Sequence, residues 1–127
     1  MTVDIQGQAI KFRGVYKQPV GAFTPEILDL QEALIIEEMK EFLDAYAECL
    51  ENIQNKRARE HALKELADLV FVCFQFAAAA GWELDEALDR VFASNMSKLV
   101  DGKPLKREDG KVLKGPNYQP PYLEDLI

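Results

Sequence analysis

An all-α fold is predicted by three features of the sequence. Residues 26–51 and 56–80 contain neither glycine nor proline and are rich in strong helix formers. Thr24-Pro25-Glu26 reads as a helix start, with Thr as N-cap, Pro at the first helical position and an acid in the first turn. No period-two alternation of useful length appears anywhere. The chain has 127 residues, which fits one domain at roughly 150 residues per domain. The expected architecture is an antiparallel bundle of about four helices with a loop-rich C-terminal tail.

The elements follow in chain order. Residues 3–12 suit a short amphipathic helix, and a loop holding Gly14, Pro19 and Gly21 follows. The long helix then runs from Pro25 to about Glu51. A polar stretch from Asn52 to Asn55 breaks the pattern. The next helix spans residues 56–80, with a charged front half and a back half, LADLVFVCFQFAAAA, that is apolar nearly all round. Such a helix is a buried one, and in a chain this small that burial calls for a second subunit. Gly81 is its stop signal. A further helix is expected from about Asp85 to near Asn95, with an extension to Leu99 as the alternative. Beyond it lie four of the six prolines and three of the seven glycines, between Asp101 and Ile127, so that segment reads as loop. The whole of 1–127 is expected to be one domain, with its core at about 24–100 and a substrate-closing tail at 101–127.

Composition excludes several classes. Fifteen basic against 22 acidic residues give a net charge of −7, which disfavours binding to nucleic-acid polymers. Apolar residues make up 48%, so disorder is not expected. Cys49 and Cys73 sit inside apolar helical patterns and form no disulfide framework, which fits a reducing, cytoplasmic compartment. MTVDIQGQAIKF has no apolar run, so a signal peptide is not expected. The longest apolar stretch, residues 66–82, is interrupted by Asp68 and Gln75 and is a poor membrane span.

Four carboxylates stand where apolar residues would be expected. Glu38 and Glu41 share a helix face, as do Glu65 and Asp68, each pair being three apart. Glu38 and Glu41 fall on the stripe of Ile27, Leu30, Leu34 and Ala45; Glu65 and Asp68 fall beside Leu69, Val72 and Phe76. The short break between the two long helices makes them an antiparallel hairpin. In such a hairpin partners share one index sum. Glu41 with Glu65, and Glu38 with Asp68, have the same sum, centred on Ile53 inside the break. The four acids are therefore predicted to form one cluster. Like charges partly out of water must either hold protons or enclose cations. Oxygen-only ligation suits hard ions such as Mg²⁺ or Mn²⁺. A di-iron site needs Glu-x-x-His repeats, and His61 is the single histidine.

The tail adds opposite charge. Lys98, Lys103, Lys106, Arg107, Lys111 and Lys114 are set against Asp101, Glu108 and Asp109. Lysine binds phosphate as a point charge, and glycine lets backbone N–H groups approach an anion. Asn95 and Lys98 are three apart and can reach one ligand. An acidic metal cluster with lysines is what a polyphosphate needs.

LIIEEMKEF with KELADLV resembles the EExxE…ExxD signature of the all-α nucleoside triphosphate pyrophosphohydrolases. This superfamily includes MazG, the phosphoribosyl-ATP pyrophosphohydrolases and the all-α dUTP and dCTP pyrophosphatases. SNMSKL…DGKVLKGPNYQPP resembles the end of small single-domain, phage-type members. The resemblance covers about residues 24–122. It implies that Glu38, Glu41, Glu65 and Asp68 hold two or more Mg²⁺ ions, with Mn²⁺ as a substitute. It gives Glu37, the first Glu of the motif, a part in holding a further metal or orienting water. Asn95 and Lys98 match phosphate-gripping positions. Lys111, Lys114 and Tyr118 are similar to tail residues that close over the nucleotide. The family assembles as homodimers or dimers of dimers, in line with the all-round apolar helix.

The implied reaction converts a (d)NTP to (d)NMP and pyrophosphate. The metals lower the pKa of the attacking water, and Glu41 or Glu38 serves as base. Lys98, with Lys111 or Lys114, neutralises the leaving group. A deoxypurine such as dGTP is one candidate substrate, and phosphoribosyl-ATP is another. From a different class, a non-catalytic helical oligomerisation or regulatory module remains an alternative. His61, one turn before Glu65, reads as a partly exposed histidine that could support the site from behind. Cys49, Cys73, Trp82 and the group Phe71, Phe74 and Phe76 read as packing residues.

Overall fold

The structure, a computed structural model, describes residues 3–127. It is all-helical, with four helices and no β-strand among the described residues: α1 (Ile5–Val15), α2 (Pro25–Glu51), α3 (Lys56–Ala80) and α4 (Leu84–Met96). The chain divides into two compact units, one ending at Trp82 and the other running Glu83–Ile127.

In the first unit, α2 and α3 form the hairpin and α1 packs on α3. Thr24 precedes α2 in an extended conformation and Pro25 opens it. Asn52 ends it, again extended, and the polar break turns the chain. Asn55 caps α3, its side-chain oxygen accepting from the backbone N–H groups of Arg57 and Ala58 at 3.0 and 3.3 Å. These bonds satisfy two of the donors that every helix start leaves open. Gly81 closes α3 in the left-handed region, with φ of 81°. A side chain there would be strained, and its Cβ would come within 3.1 Å of the Gly21 backbone. That approach is used: Gly21 and Ala22 N–H groups donate to the carbonyls of Ala78 and Ala79 at 3.0 and 2.7 Å. The buried run Ala77–Ala80 leaves room for this loop.

Helix α1 starts at Asp4, whose carboxylate accepts from Gly7 N–H at 2.8 Å. It extends three residues past the predicted end. Ala9 and Arg13 are buried, and the Phe12 ring meets Phe71 of α3 edge-on, with centroids 5.2 Å apart. Packing on α3 thus carries the helix through its two glycines. Arg13, only 1% exposed, donates from Nε to the Pro19 carbonyl at 2.7 Å and from Nη1 to Gln75 Oε1 at 3.2 Å.

The aromatic residues of α3 pack as expected. Phe74 is buried, and Phe76 and Phe23 both lie against Trp82. Cys49 and Cys73 are free and half-buried. Leu30 departs from the expected inward stripe and is exposed. Ile36, Met39, Leu43 and Leu50 on α2, with Leu66 and Val70 on α3, are exposed too. Their spacing of three, four and seven residues is that of an amphipathic stripe. The first turns of the apolar half of α3 are therefore not buried on every side within the single chain.

In the second unit, α4 carries a folded strap. Ser94 Oγ donates to the Gln119 carbonyl at 2.6 Å, and Gln119 N–H donates to Ser97 Oγ at 2.9 Å. Arg90 binds both carboxylate oxygens of Asp125 and the Tyr122 carbonyl. A 3-10 turn at Glu124–Leu126 buries Leu126, and Glu83 N–H donates to its carbonyl at 3.0 Å. No helix among the described residues is long and apolar enough to cross a membrane.

Candidate active site

Helices α2 and α3 bring Glu38, Glu65 and Asp68 together, with one carboxylate oxygen of each within 4.8 Å of the others. Glu65 is only 6% exposed; Glu38 and Asp68 are half-buried. Three buried side-chain oxygens among the described residues have no hydrogen-bond partner: Gln31 Oε1, Glu38 Oε2 and Glu65 Oε2. Two of these belong to the cluster. A buried carboxylate oxygen without a donor is costly, and a cation removes that cost.

Glu38 shows the strain. Its pKa is raised from 4.5 to about 7, first by burial, then by a hydrogen bond with Glu41 and by the charges of Glu41, Asp68 and Glu65. Glu41 therefore stands beside the cluster. It is exposed, and it is absent from the group of three whose oxygens converge. Glu37 is exposed on the same helix. The donor set is all oxygen, which suits a hard divalent cation. The bare oxygens of Glu38 and Glu65 fit such a group.

A cavity of about 420 Å³ adjoins the cluster, lined by Glu41, Asp44, Ala45, Glu48, His61 and Glu65. His61 stands between two acids, its Nδ1 3.3 Å from Glu48 Oε2 and its Nε2 3.3 Å from Glu65 Oε1. Both ring nitrogens therefore face carboxylates. Lys64 Nζ lies 2.7 Å from Asp68 Oδ2 and 3.4 Å from Glu65 Oε1. Sequence reasoning passed over Lys64 as part of a charged helix front. Its i,i+4 spacing to Asp68 was the available signal.

The remaining candidates belong to the second unit. Asn95 is exposed on the last turn of α4, and Lys98 follows that helix. Gly115 N–H donates to the Lys98 carbonyl at 3.0 Å, which ties the Lys114 segment to it. A Cβ on Gly115 would come within 2.7 Å of that carbonyl, so glycine is required by close approach. Lys114 Nζ lies 4.8 Å from the Tyr118 ring centroid, a cation–π contact. Lys111 is exposed, and its carbonyl accepts from Arg107 N–H.

Residues 12–95 match the family described as phosphoribosyl-ATP pyrophosphohydrolase. The chain belongs to this family, which is part of the MazG-like nucleotide pyrophosphohydrolase superfamily. It is thus a pyrophosphohydrolase acting on a nucleotide, from a family that is generally metal-dependent. The match includes all the carboxylates and Asn95, while Lys98, Lys111, Lys114 and Tyr118 lie beyond it. No curated protein matches the chain.

The Glu38 shift gives a pH signature. Its folded pKa lies above its unfolded value, so protonation favours the folded state. Its unfavourable contribution is absent below about pH 4.5, grows as pH rises, and is complete above about pH 7. The metal-free protein should therefore lose thermal stability between about pH 5 and about pH 8, and Glu38→Gln should flatten that loss. Parallel melting curves for the two proteins at both pH values would contradict it.

Proposed function

We propose that the protein hydrolyses the α–β phosphoanhydride of a nucleoside or deoxynucleoside triphosphate, releasing the monophosphate and pyrophosphate. The observation that carries this reading is the convergence of Glu38, Glu65 and Asp68 with two bare buried oxygens. These three residues would hold Mg²⁺ or Mn²⁺, and Glu41 and Glu37 flank them on α2. When bound, the metal supplies charge neutralisation at the phosphates and a lowered pKa for water. Glu41 is exposed and hydrogen-bonded to Glu38, which leaves it able to take the proton of the attacking water. Glu38, next to Glu41 on the same helix face, is a second candidate for that proton. Asn95, Lys98, Lys111 and Lys114 supply donors and positive charge suited to phosphate, and Tyr118 a ring suited to a base.

A second copy of the chain would cover the exposed apolar stripe of α2 and α3 as a homodimer or a dimer of dimers. A monomer in sedimentation velocity at micromolar concentration would contradict this assembly. The substrate is settled by assaying the common NTPs and dNTPs, dGTP among them, beside phosphoribosyl-ATP. Turnover of free triphosphates supports the proposal. Turnover of phosphoribosyl-ATP alone would place the chain with the narrower activity of its family description.

A further inference from the structure

Lys64 has no part in the reaction as set out above, yet it is in direct contact with two carboxylates of the cluster. Its ammonium lies 2.7 Å from Asp68 Oδ2 and 3.4 Å from Glu65 Oε1. The opposite oxygens, Glu65 Oε2 and Glu38 Oε2, are buried and bare. The lysine side chain is 66% exposed, so it can leave without disturbing the core. We propose that Lys64 is an internal counter-ion of the metal site, competing with the free divalent cation and yielding when the cation arrives on a nucleotide.

The physics is direct. Three converging carboxylates attract a cation, and Lys64 already supplies one positive charge. A divalent ion held by the same oxygens would sit within a few ångströms of Nζ, where like charges repel. Asp68 Oδ2 cannot serve both without weakening one contact. A metal–triphosphate complex changes the balance, because its net charge is negative. Its phosphate oxygens would offer the ammonium of Lys64 an anionic partner in place of Asp68. Lys64 thus disfavours bare metal and favours metal that arrives with substrate. This inference rests on the metal-site reading above.

The test measures Mn²⁺ binding in the absence of nucleotide, by electron paramagnetic resonance or titration calorimetry. The proteins are wild type, Lys64→Met, Lys64→Arg and Asp68→Asn. Lys64→Met should bind Mn²⁺ about tenfold more tightly, as expected for removing a like charge at short range. Lys64→Arg, which keeps the charge, should stay near wild type. A merely structural role could only weaken binding, so a gain is diagnostic. Equal or weaker binding by Lys64→Met overturns the counter-ion role even when Asp68→Asn abolishes binding and so upholds the metal site. If neither wild type nor Lys64→Met binds Mn²⁺, the metal-site reading and this inference fall together.

Discussion

Glu41→Gln and Asp68→Asn should each nearly abolish turnover while leaving the helices intact. The two act differently. Asp68 is one of the three convergent carboxylates, so its amide analogue loses the charge that holds a cation. Glu41 stands beside the cluster and does not converge with it. Its glutamine analogue keeps size and hydrogen-bonding reach but can no longer accept a proton. A positioned general base contributes about 10²–10⁴-fold, and a loss of that order in kcat is expected for Glu41→Gln. Mn²⁺ affinity should fall sharply in Asp68→Asn and much less in Glu41→Gln. Substantial turnover in both variants would remove the basis for the site. Circular dichroism checks that the fold survives, because Glu41 and Asp68 are not core residues.

Arg13→Ala should destabilise the protein by about 3 kcal/mol or more, as loss of a buried large side chain does. The guanidinium is almost completely buried, yet the acceptors it meets, the Pro19 carbonyl and Gln75 Oε1, are uncharged. Burial lowers its pKa, so the charge is held at a cost that these acceptors offset. Truncation leaves a cavity under α1 and two acceptors without donors. Arg13→Met restores the stem and leaves only the acceptors, so it should cost about 1–2 kcal/mol. Urea denaturation of both variants separates packing from hydrogen bonding. Equal stability of Arg13→Ala and wild type would show that α1 is not anchored through this residue.

Arg13 also marks where the sequence stops being legible. A lone arginine in a mixed segment reads as surface, because charge is seldom buried. Nothing local announces that the chain will fold over it. Gln31 is similar: it is buried, with an unpartnered Oε1. Here a signal existed, since Gln31 and Gln75 share the index sum of the carboxylate pairs. The same antiparallel arithmetic that placed the acids could have marked both amides as inward-facing.

The hairpin itself was readable for a physical reason. Thr24-Pro25, the polar break from Asn52 to Asn55, and Gly81 are local signals: α2 begins at the first, the break separates it from α3, and α3 ends at Gly81. Helix α4 begins within a residue of the expected Asp85 and ends at Met96, close to the nearer of the two expected ends. The carboxylate cluster was readable because helix spacing and one turn position fix which residues face each other. Glu41 standing aside from the three convergent acids was not readable, because the exact rotation of each helix depends on packing. The strap of the second unit was not readable either. It is held by long-range bonds, Ser94 and Ser97 to Gln119 and Arg90 to Asp125, and no periodicity encodes them.

A metal held by Glu38, Glu65 and Asp68 would serve hydrolysis of an α–β phosphoanhydride. Phosphorus NMR of the products, with Mg²⁺ and with a chelator, tests it most directly. Nucleoside monophosphate and pyrophosphate are expected with Mg²⁺, nothing with chelator, and nothing from Asp68→Asn under either condition. Orthophosphate as the first product, or undiminished turnover in chelator, would contradict it.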